Sequence, residues 1–242
     1  MGFTFSEMWK YGFIGLAGEK YGLHIAVLIM GYLVCGGVAY LLGSLNFGLI
    51  ISKYRFRDDI RAHGSGNAGM TNMLRTYGKS AAVFTLLGDA LKSVVSVILV
   101  GRMLGGEYGA YFAGLGCILG HVFPLYFGFK GGKGVVVTAA MILCLDPLVF
   151  ALLFSLFAMI VIFTRYISLG SVMCMMVYPL VLYRITGGGF HVIIAFIIAA
   201  LIIYLHRGNI KRLRLGTENR FSFKKKPDRV AEKDKTEPDK EK

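Results

Sequence analysis

The chain has 242 residues, 55% of them hydrophobic, and a mean hydropathy of +0.61. A soluble domain needs a polar surface and does not reach that figure, so the composition excludes a soluble globular protein and implies an integral membrane protein. The formal net charge of +13 would suit nucleic acid in a soluble chain; in a membrane chain it points to cytoplasmic loops, anionic lipid or an anionic substrate, and no nucleic-acid partner is expected.

Residues 1–21 carry Glu7, Lys10, Glu19 and Lys20, and read as an extracytoplasmic amino-terminal segment rather than a cleavable signal. Apolar stretches follow at about 22–51, 80–102, 109–128, 134–146, 148–164, 167–185 and 189–205. They predict an all-α polytopic protein with seven transmembrane helices, within a membrane domain spanning residues 22–214. The fourth and fifth stretches are short, and Asp146-Pro147 parts them, so the chain turns there at the membrane surface; a re-entrant hairpin is the competing reading.

With the carboxyl end inside, the connections on that side hold thirteen Lys and Arg residues against four outside (Lys10, Lys20, Arg102 and Arg184). That asymmetry favours an external amino terminus and a cytoplasmic carboxyl terminus, as an odd number of spans requires. The third stretch contains Gly116-x-x-x-Gly120, which reads as close helix packing within the chain rather than a dimer face. Cys35, Cys117, Cys144 and Cys174 lie in apolar stretches without paired spacing and read as buried thiols. Residues 215–242 form a charged cytoplasmic tail too polar to order itself, with Lys224–Lys226 placed near anionic headgroups.

Three segments on one membrane face carry the chemistry. The first, RAHGSGNAGMTNMLR at 61–75, has the spacing of a dinucleotide-binding turn but lacks the strand that such a turn must follow. Its glycines still allow backbone N–H groups to converge on an anion, and Ser65, Asn67, Thr71, Asn72 and Arg75 add donors; a flexible loop of small residues is the plainer reading. The second, GHVFPLYFGFKGGKG at 120–134, is not a Walker motif: Lys133 comes one residue early and Gly134 stands where Ser or Thr should hold magnesium. A lysine at a helix amino terminus remains, suited to an anion or serving only as a topological charge.

The third segment, HRGNIKRLRLGTE at 206–218, places His206, Asn209 and Arg212 on one helical face. His206 could be a general base, a phosphate donor or an interfacial histidine. His63, His121 and His206 share a membrane face, but their spacing fits no zinc template, so no metal is expected. Asp89 and Lys92, three apart in the second stretch, read as a mutual pair, with direct catalysis by Asp89 the alternative.

Taken together, GSGNAGMTNMLRTYGK, GHVFPLYFGFKGGKGV and HRGNIKRLRLGTE resemble the three motifs of the bacterial acyl-phosphate:glycerol-3-phosphate acyltransferases, in the same order, over residues 40–218. The resemblance implies a seven-helix membrane enzyme with a cytoplasmic active site. It would move a fatty acyl group from acyl phosphate to the 1-hydroxyl of glycerol 3-phosphate, giving lysophosphatidic acid and inorganic phosphate. Its implied partners are those two substrates and membrane lipid, with no cofactor and no required protein partner. Carried over by position, Ser65, Arg75, Lys133, His206 and Asn209 would be catalytic. Gly64, Gly66, Asn67, Gly69, Thr71, Asn72, Gly131, Gly132 and Gly134 would bind substrate phosphate.

The chain departs from the family pattern at Asn46 (usually proline), Met70 (a small residue), Ser93 (glycine) and Val136 (alanine). None removes a polar site residue; Met70 and Val136 could narrow the pocket. A transporter for an organic phosphate is the rival class, although no internal repeat is evident and the polar residues gather at one face.

Overall fold

The structure, a computed structural model, describes residues 4–22 and 24–221. Residues 222–242, including Lys224–Lys226, lie outside the described residues. Among those described, the chain is all-helical: α1 (Phe5–Tyr21), α2 (Ile25–Gly43), α3 (Phe47–Arg55), α4 (Met70–Thr76), α5 (Lys79–Val95), α6 (Met103–Val122), α7 (Val135–Leu145), α8 (Pro147–Thr164), α9 (Ile167–Thr186), α10 (Phe190–Leu205) and α11 (Arg207–Arg214).

Among the described residues, four runs are long and apolar enough to cross a membrane: Ile25–Arg55, Lys79–Phe127, Pro147–Thr164 and Ile167–Thr186. A fifth is added if α10 and α11, bent by 55° at His206, count as one. The 49-residue Lys79–Phe127 run would be about 74 Å long if straight, more than twice the roughly 30 Å of a hydrocarbon core. It folds back instead. A π-helical stretch at Ser96–Arg102 follows α5, and Gly106, at φ 62° and ψ −146°, breaks the helix after it. Gly101 and Gly109 then meet backbone to backbone, too close for a Cβ on either. α7 has 11 residues and rises about 16 Å, roughly half the hydrocarbon thickness.

The segment before the first apolar stretch is a helix in its own right. Thr4 and Glu7 form a reciprocal capping box at the start of α1, and Gly22 closes it in the left-handed conformation. α1 kinks at Gly12, whose Cα lies against Gly105 and Gly106 so closely that any side chain at 12 or 106 would strike the other strand of backbone. An apolar periodicity interrupted by four charges hid this docking from the sequence.

Close approach also joins α2 to α6. Gly43 faces the Cys117 backbone, Gly116 faces Gly36, and Gly120 faces Tyr40 and Ser44. The small residues of the third apolar stretch therefore serve packing inside this chain. The main core gathers α6, α9 and α10 around Tyr178, Ile198 and Ile202, and the cysteines are free thiols. A smaller cluster, Leu49, Ile60, Met73 and Tyr77 among it, lies beneath the 56–78 segment and fixes the first loop to α3.

Candidate active site

The loop that precedes α4 is organised by one side chain. Asn72, 1% exposed, donates both amide hydrogens to backbone carbonyls, of His63 at 2.9 Å and Ile60 at 3.2 Å, and its Oδ1 accepts from Ser65 N–H at 3.0 Å. Gly64 and Gly66 adopt φ of 56° and 69°, which lets the chain turn around that amide. Three of the six amides in the expected anion cradle over 64–69 are taken up inside the loop. Ser65 N–H goes to Asn72, Gly66 N–H to His63 O, and Gly69 N–H to Asn67 O. Asn72 likewise has no donor left for a phosphate. A second set of contacts anchors the loop from outside: His63 Nε2 lies 2.8 Å from Asp58 Oδ2, and Tyr77 O–H donates to the same oxygen at 2.8 Å.

The second loop is pinned to the end of α6. Gly132 N–H donates to His121 O at 3.1 Å and Gly131 N–H to Val122 O at 3.0 Å. Both amides are therefore committed and do not point at a substrate phosphate. Side chains at 131 and 132 would collide with His121. Gly134, at φ 80°, turns the chain into α7 and leaves Lys133 facing the cavity.

The third segment bends at His206, between α10 and α11. Its Nδ1 lies 2.8 Å from Ile202 O, so it carries the proton and donates, leaving the Nε2 lone pair for the cavity. Burial pulls the His206 pKa down to about 4, so the imidazole is neutral near pH 7. Lys133 donates to Asn209 Oδ1, and Asn209 Nδ2 donates to Glu218 Oε1 at 2.7 Å. Ser168 O–H reaches that same oxygen at 2.7 Å, and Arg212 Nε donates to Oε2 at 2.7 Å. Burial pushes the Glu218 carboxyl up, but the hydrogen bonds from Asn209, Ser168 and Arg212 outweigh it and hold the group below its usual range. Burial, with Arg212 and then Arg75 nearby, lowers the Lys133 pKa to about 8.

These elements close around a cavity of about 410 Å³. Of the residues singled out in the sequence, Ser65, Asn67, Gly69, Thr71, Asn72, Arg75, Lys133, Gly134, His206 and Asn209 line it, whereas Gly64, Gly66, Gly131 and Gly132 do not and only shape the loops. Met70 and Val136 also line it. Away from this polar end the walls turn apolar, with Ala139 and Ile142 of α7, Phe150, Phe154 and Phe157 of α8, and Met175 of α9. Ser168, Ser171 and Glu218 line the cavity and were missed. Glu218 closes the third motif in the sequence and could have been found there; the two serines look like ordinary helix residues.

A second polar group lies against the cavity. Lys92 Nζ pairs with Asp89 Oδ1 at 2.9 Å, as expected, and also donates to Gly43 O and Leu45 O at 2.8 Å each. Lys92 thus satisfies carbonyls where α2 breaks before α3. Asn46 caps α3, its Oδ1 accepting from Leu49 N–H at 3.1 Å.

A helical membrane bundle with cationic and neutral donors at one end of a partly apolar cavity has the site of a membrane enzyme suited to an anionic ligand with an apolar portion. Residues 33–216 match the family described as glycerol-3-phosphate acyltransferase, and the chain belongs to that family. It is 41% identical over 187 residues to a glycerol-3-phosphate acyltransferase of Syntrophomonas wolfei, covering 77% of this chain and 95% of that one. To the Geobacter sulfurreducens protein of the same name it is 43% identical, covering 80% and 99%. The crystal structure of PlsY (YgiH), an integral membrane glycerol 3-phosphate acyltransferase in its glycerol 3-phosphate form, superposes with a TM-score of 0.73 at 38% identity, covering 79% of this chain and 96% of that one. The chain is thus an acyltransferase of phospholipid biosynthesis rather than a transporter.

Proposed function

We propose that the cavity binds glycerol 3-phosphate and a fatty acyl phosphate together, and that the 1-hydroxyl oxygen attacks the acyl carbonyl. The ester C–O bond forms, the bond from the carbonyl carbon to the phosphate oxygen breaks, and inorganic phosphate leaves. One observation carries this reading: a single cavity joins a cluster of phosphate-suited groups, Arg75 and Lys133 foremost, to an apolar arm between α7, α8 and α9. The PlsY structures, described as glycerol 3-phosphate and lysophosphatidic acid forms, support the acceptor and the product.

An acyl phosphate is an activated mixed anhydride with a good leaving group, so charge neutralisation and alignment supply most of the catalysis. Arg75 and Lys133 hold the phosphates, Asn209 orients Lys133, and Ser65 at the mouth hydrogen-bonds the acyl or phosphoryl oxygen. His206 takes the hydroxyl proton on Nε2, since the Ile202 carbonyl fixes its other proton, and an adjacent substrate phosphate raises its basicity in the complex. The excess of basic residues on the motif side supports a seven-span chain in the bacterial plasma membrane, amino terminus outside and site cytoplasmic.

The test supplies purified protein with labelled glycerol 3-phosphate and either palmitoyl phosphate or palmitoyl-CoA. Lysophosphatidic acid from the phosphate alone supports the donor, and product from CoA alone overturns it. In single turnovers His206→Gln should slow the chemical step at least about 100-fold; an unchanged rate moves the proton to the substrate phosphate.

A further inference from the structure

His121 sits in the last turn of α6, 4% exposed, and lines the cavity. Three groups face its Nδ1: Lys92 Nζ at 3.0 Å, Asn46 Nδ2 at 3.4 Å and Asp89 Oδ1 at 3.5 Å. The three ammonium hydrogens of Lys92 are shared among Gly43 O, Leu45 O, Asp89 Oδ1 and this nitrogen, and the ammonium has no lone pair with which to accept from a protonated Nδ1. The Asn46 amide is oriented independently, because its Oδ1 caps α3, which leaves Nδ2 turned toward the ring as a donor. The two nearer groups, Lys92 Nζ and Asn46 Nδ2, are donors only, and Asp89 Oδ1 lies farther off at 3.5 Å and is paired with Lys92 at 2.9 Å, so we assign Nδ1 as the acceptor and the ring proton to Nε2.

Among the described residues, no hydrogen bond engages that Nε2–H; the ring as a whole is almost wholly buried, and its open edge faces the cavity that His121 lines. Its neighbour is Gly132, where a Cβ would sit directly against Nε2. Glycine at 132 leaves this edge uncovered beside the backbone that carries Lys133. The Asp89 carboxylate is already neutralised by Lys92 on the opposite edge of the ring. A buried, rigidly held N–H donor that protein atoms leave unpaired at a cationic cavity is suited to an anionic oxygen.

We propose that His121 is a substrate-contacting donor whose Nε2–H binds an anionic oxygen of the acyl phosphate. The choice between the two substrates follows from position. The last turn of α6 packs against the start of α7, where Gly134 meets Ile118 and Val122, and Val136 opens the apolar arm. The substrate that fills that arm brings its phosphate alongside. Lys92, Asp89 and Asn46 are positioning residues: they hold the tautomer and the ring. Asn46, a departure from the usual proline, takes part in that hold. This inference rests on acyl phosphate being the donor.

Two variants separate the edges of the ring. His121→Asn keeps an acceptor near the Nδ1 position for Lys92 and deletes the Nε2–H; His121→Gln carries an amide to the Nε2 position and weakens the Lys92 contact. His121→Asn should keep the wild-type Tm in detergent and lose about 10- to 100-fold in kcat/KM for palmitoyl phosphate, with KM for glycerol 3-phosphate unchanged. His121→Gln should recover part of that loss while melting lower. Wild-type kcat/KM in His121→Asn overturns the proposal, as do equal losses in both variants accompanied by falling Tm, which would make the ring structural only. A defect confined to the KM of glycerol 3-phosphate overturns the choice of ligand. Wild-type protein active with palmitoyl-CoA but not palmitoyl phosphate overturns the donor, and is told apart by needing no variant.

Discussion

The loop at 61–75 is closed by its own side chains, whereas the loop at 128–134 takes its shape from the helix before it. In the first, Asn72 binds three backbone groups within twelve residues of itself, and three of the amides turn inward. In the second, the main chain hangs on two carbonyls at the end of α6, and the Lys133 side chain reaches across to Asn209 on α11. The first loop is a self-supporting frame that presents Arg75 from a short helix. The second is a strap whose position depends on the end of α6, on Asn209 of α11 and on Arg61, whose guanidinium donates to Phe127 O at 2.9 Å and Lys130 O at 3.0 Å. Similar glycine content therefore serves different ends: turning around a side chain in one loop, and close approach to a helix end in the other.

The difference predicts unequal responses to mutation. The largest effect belongs to the strap's charge. Lys133→Ala should lower kcat/KM by about 10²- to 10³-fold with little change in Tm, because the cation acts on ligand rather than on the fold. A loss under threefold would remove Lys133 from the phosphates. Asn72→Ala should act the other way round: it orphans the Ser65 amide and two carbonyls, lowering stability by about 1–3 kcal/mol, with activity down about tenfold as Ser65 and Arg75 shift. Full activity at a lower Tm would show that the frame tolerates loosening.

A pH profile sharpens the contrast further. Lys133 titrates near 8, so its charge is complete at pH 6, half lost near 8 and gone by 10. KM for the phosphorylated substrates should rise across that alkaline window, and Lys133→Arg, charged throughout, should flatten the rise. Bound phosphate shifts the window upward, so kcat should fall later than kcat/KM. The smallest effect is expected at Gly128, which has φ 68° but open space around its Cβ position. Gly128→Ala should cost about 1 kcal/mol of backbone strain and leave activity within about twofold. Gly64→Ala, with the same φ sign but Asn72 Oδ1 in the way, should cost more and resemble Asn72→Ala.

Much of the site was legible because its polar residues occur in short runs set between apolar stretches, so Ser65, Arg75, Lys133, His206 and Asn209 could each be named from local context. Glu218 sits at the very end of the third run, yet its importance is visible only when Asn209, Arg212 and Ser168 converge on it, the last from fifty residues away. Half of the expected amide cradle is taken up inside the loop for a related reason: glycine spacing records that a chain can turn, not which way its N–H groups face once Asn72 fills the turn.

The sequence by itself determined that this is a membrane protein, that its chemistry lies in three segments and that those segments resemble one acyltransferase family, since hydropathy and motif order are properties of neighbouring residues. The tertiary structure alone decided that α1 docks on the Gly105–Gly106 turn, that Lys92 serves α2 and His121 as well as Asp89, and that the His121 ring leaves one edge open beside Gly132. The physical reason is the same in each case. Backbone approach and the sharing of a buried donor among acceptors depend on atoms brought within a few ångströms by packing, and sequence separation carries no record of that distance.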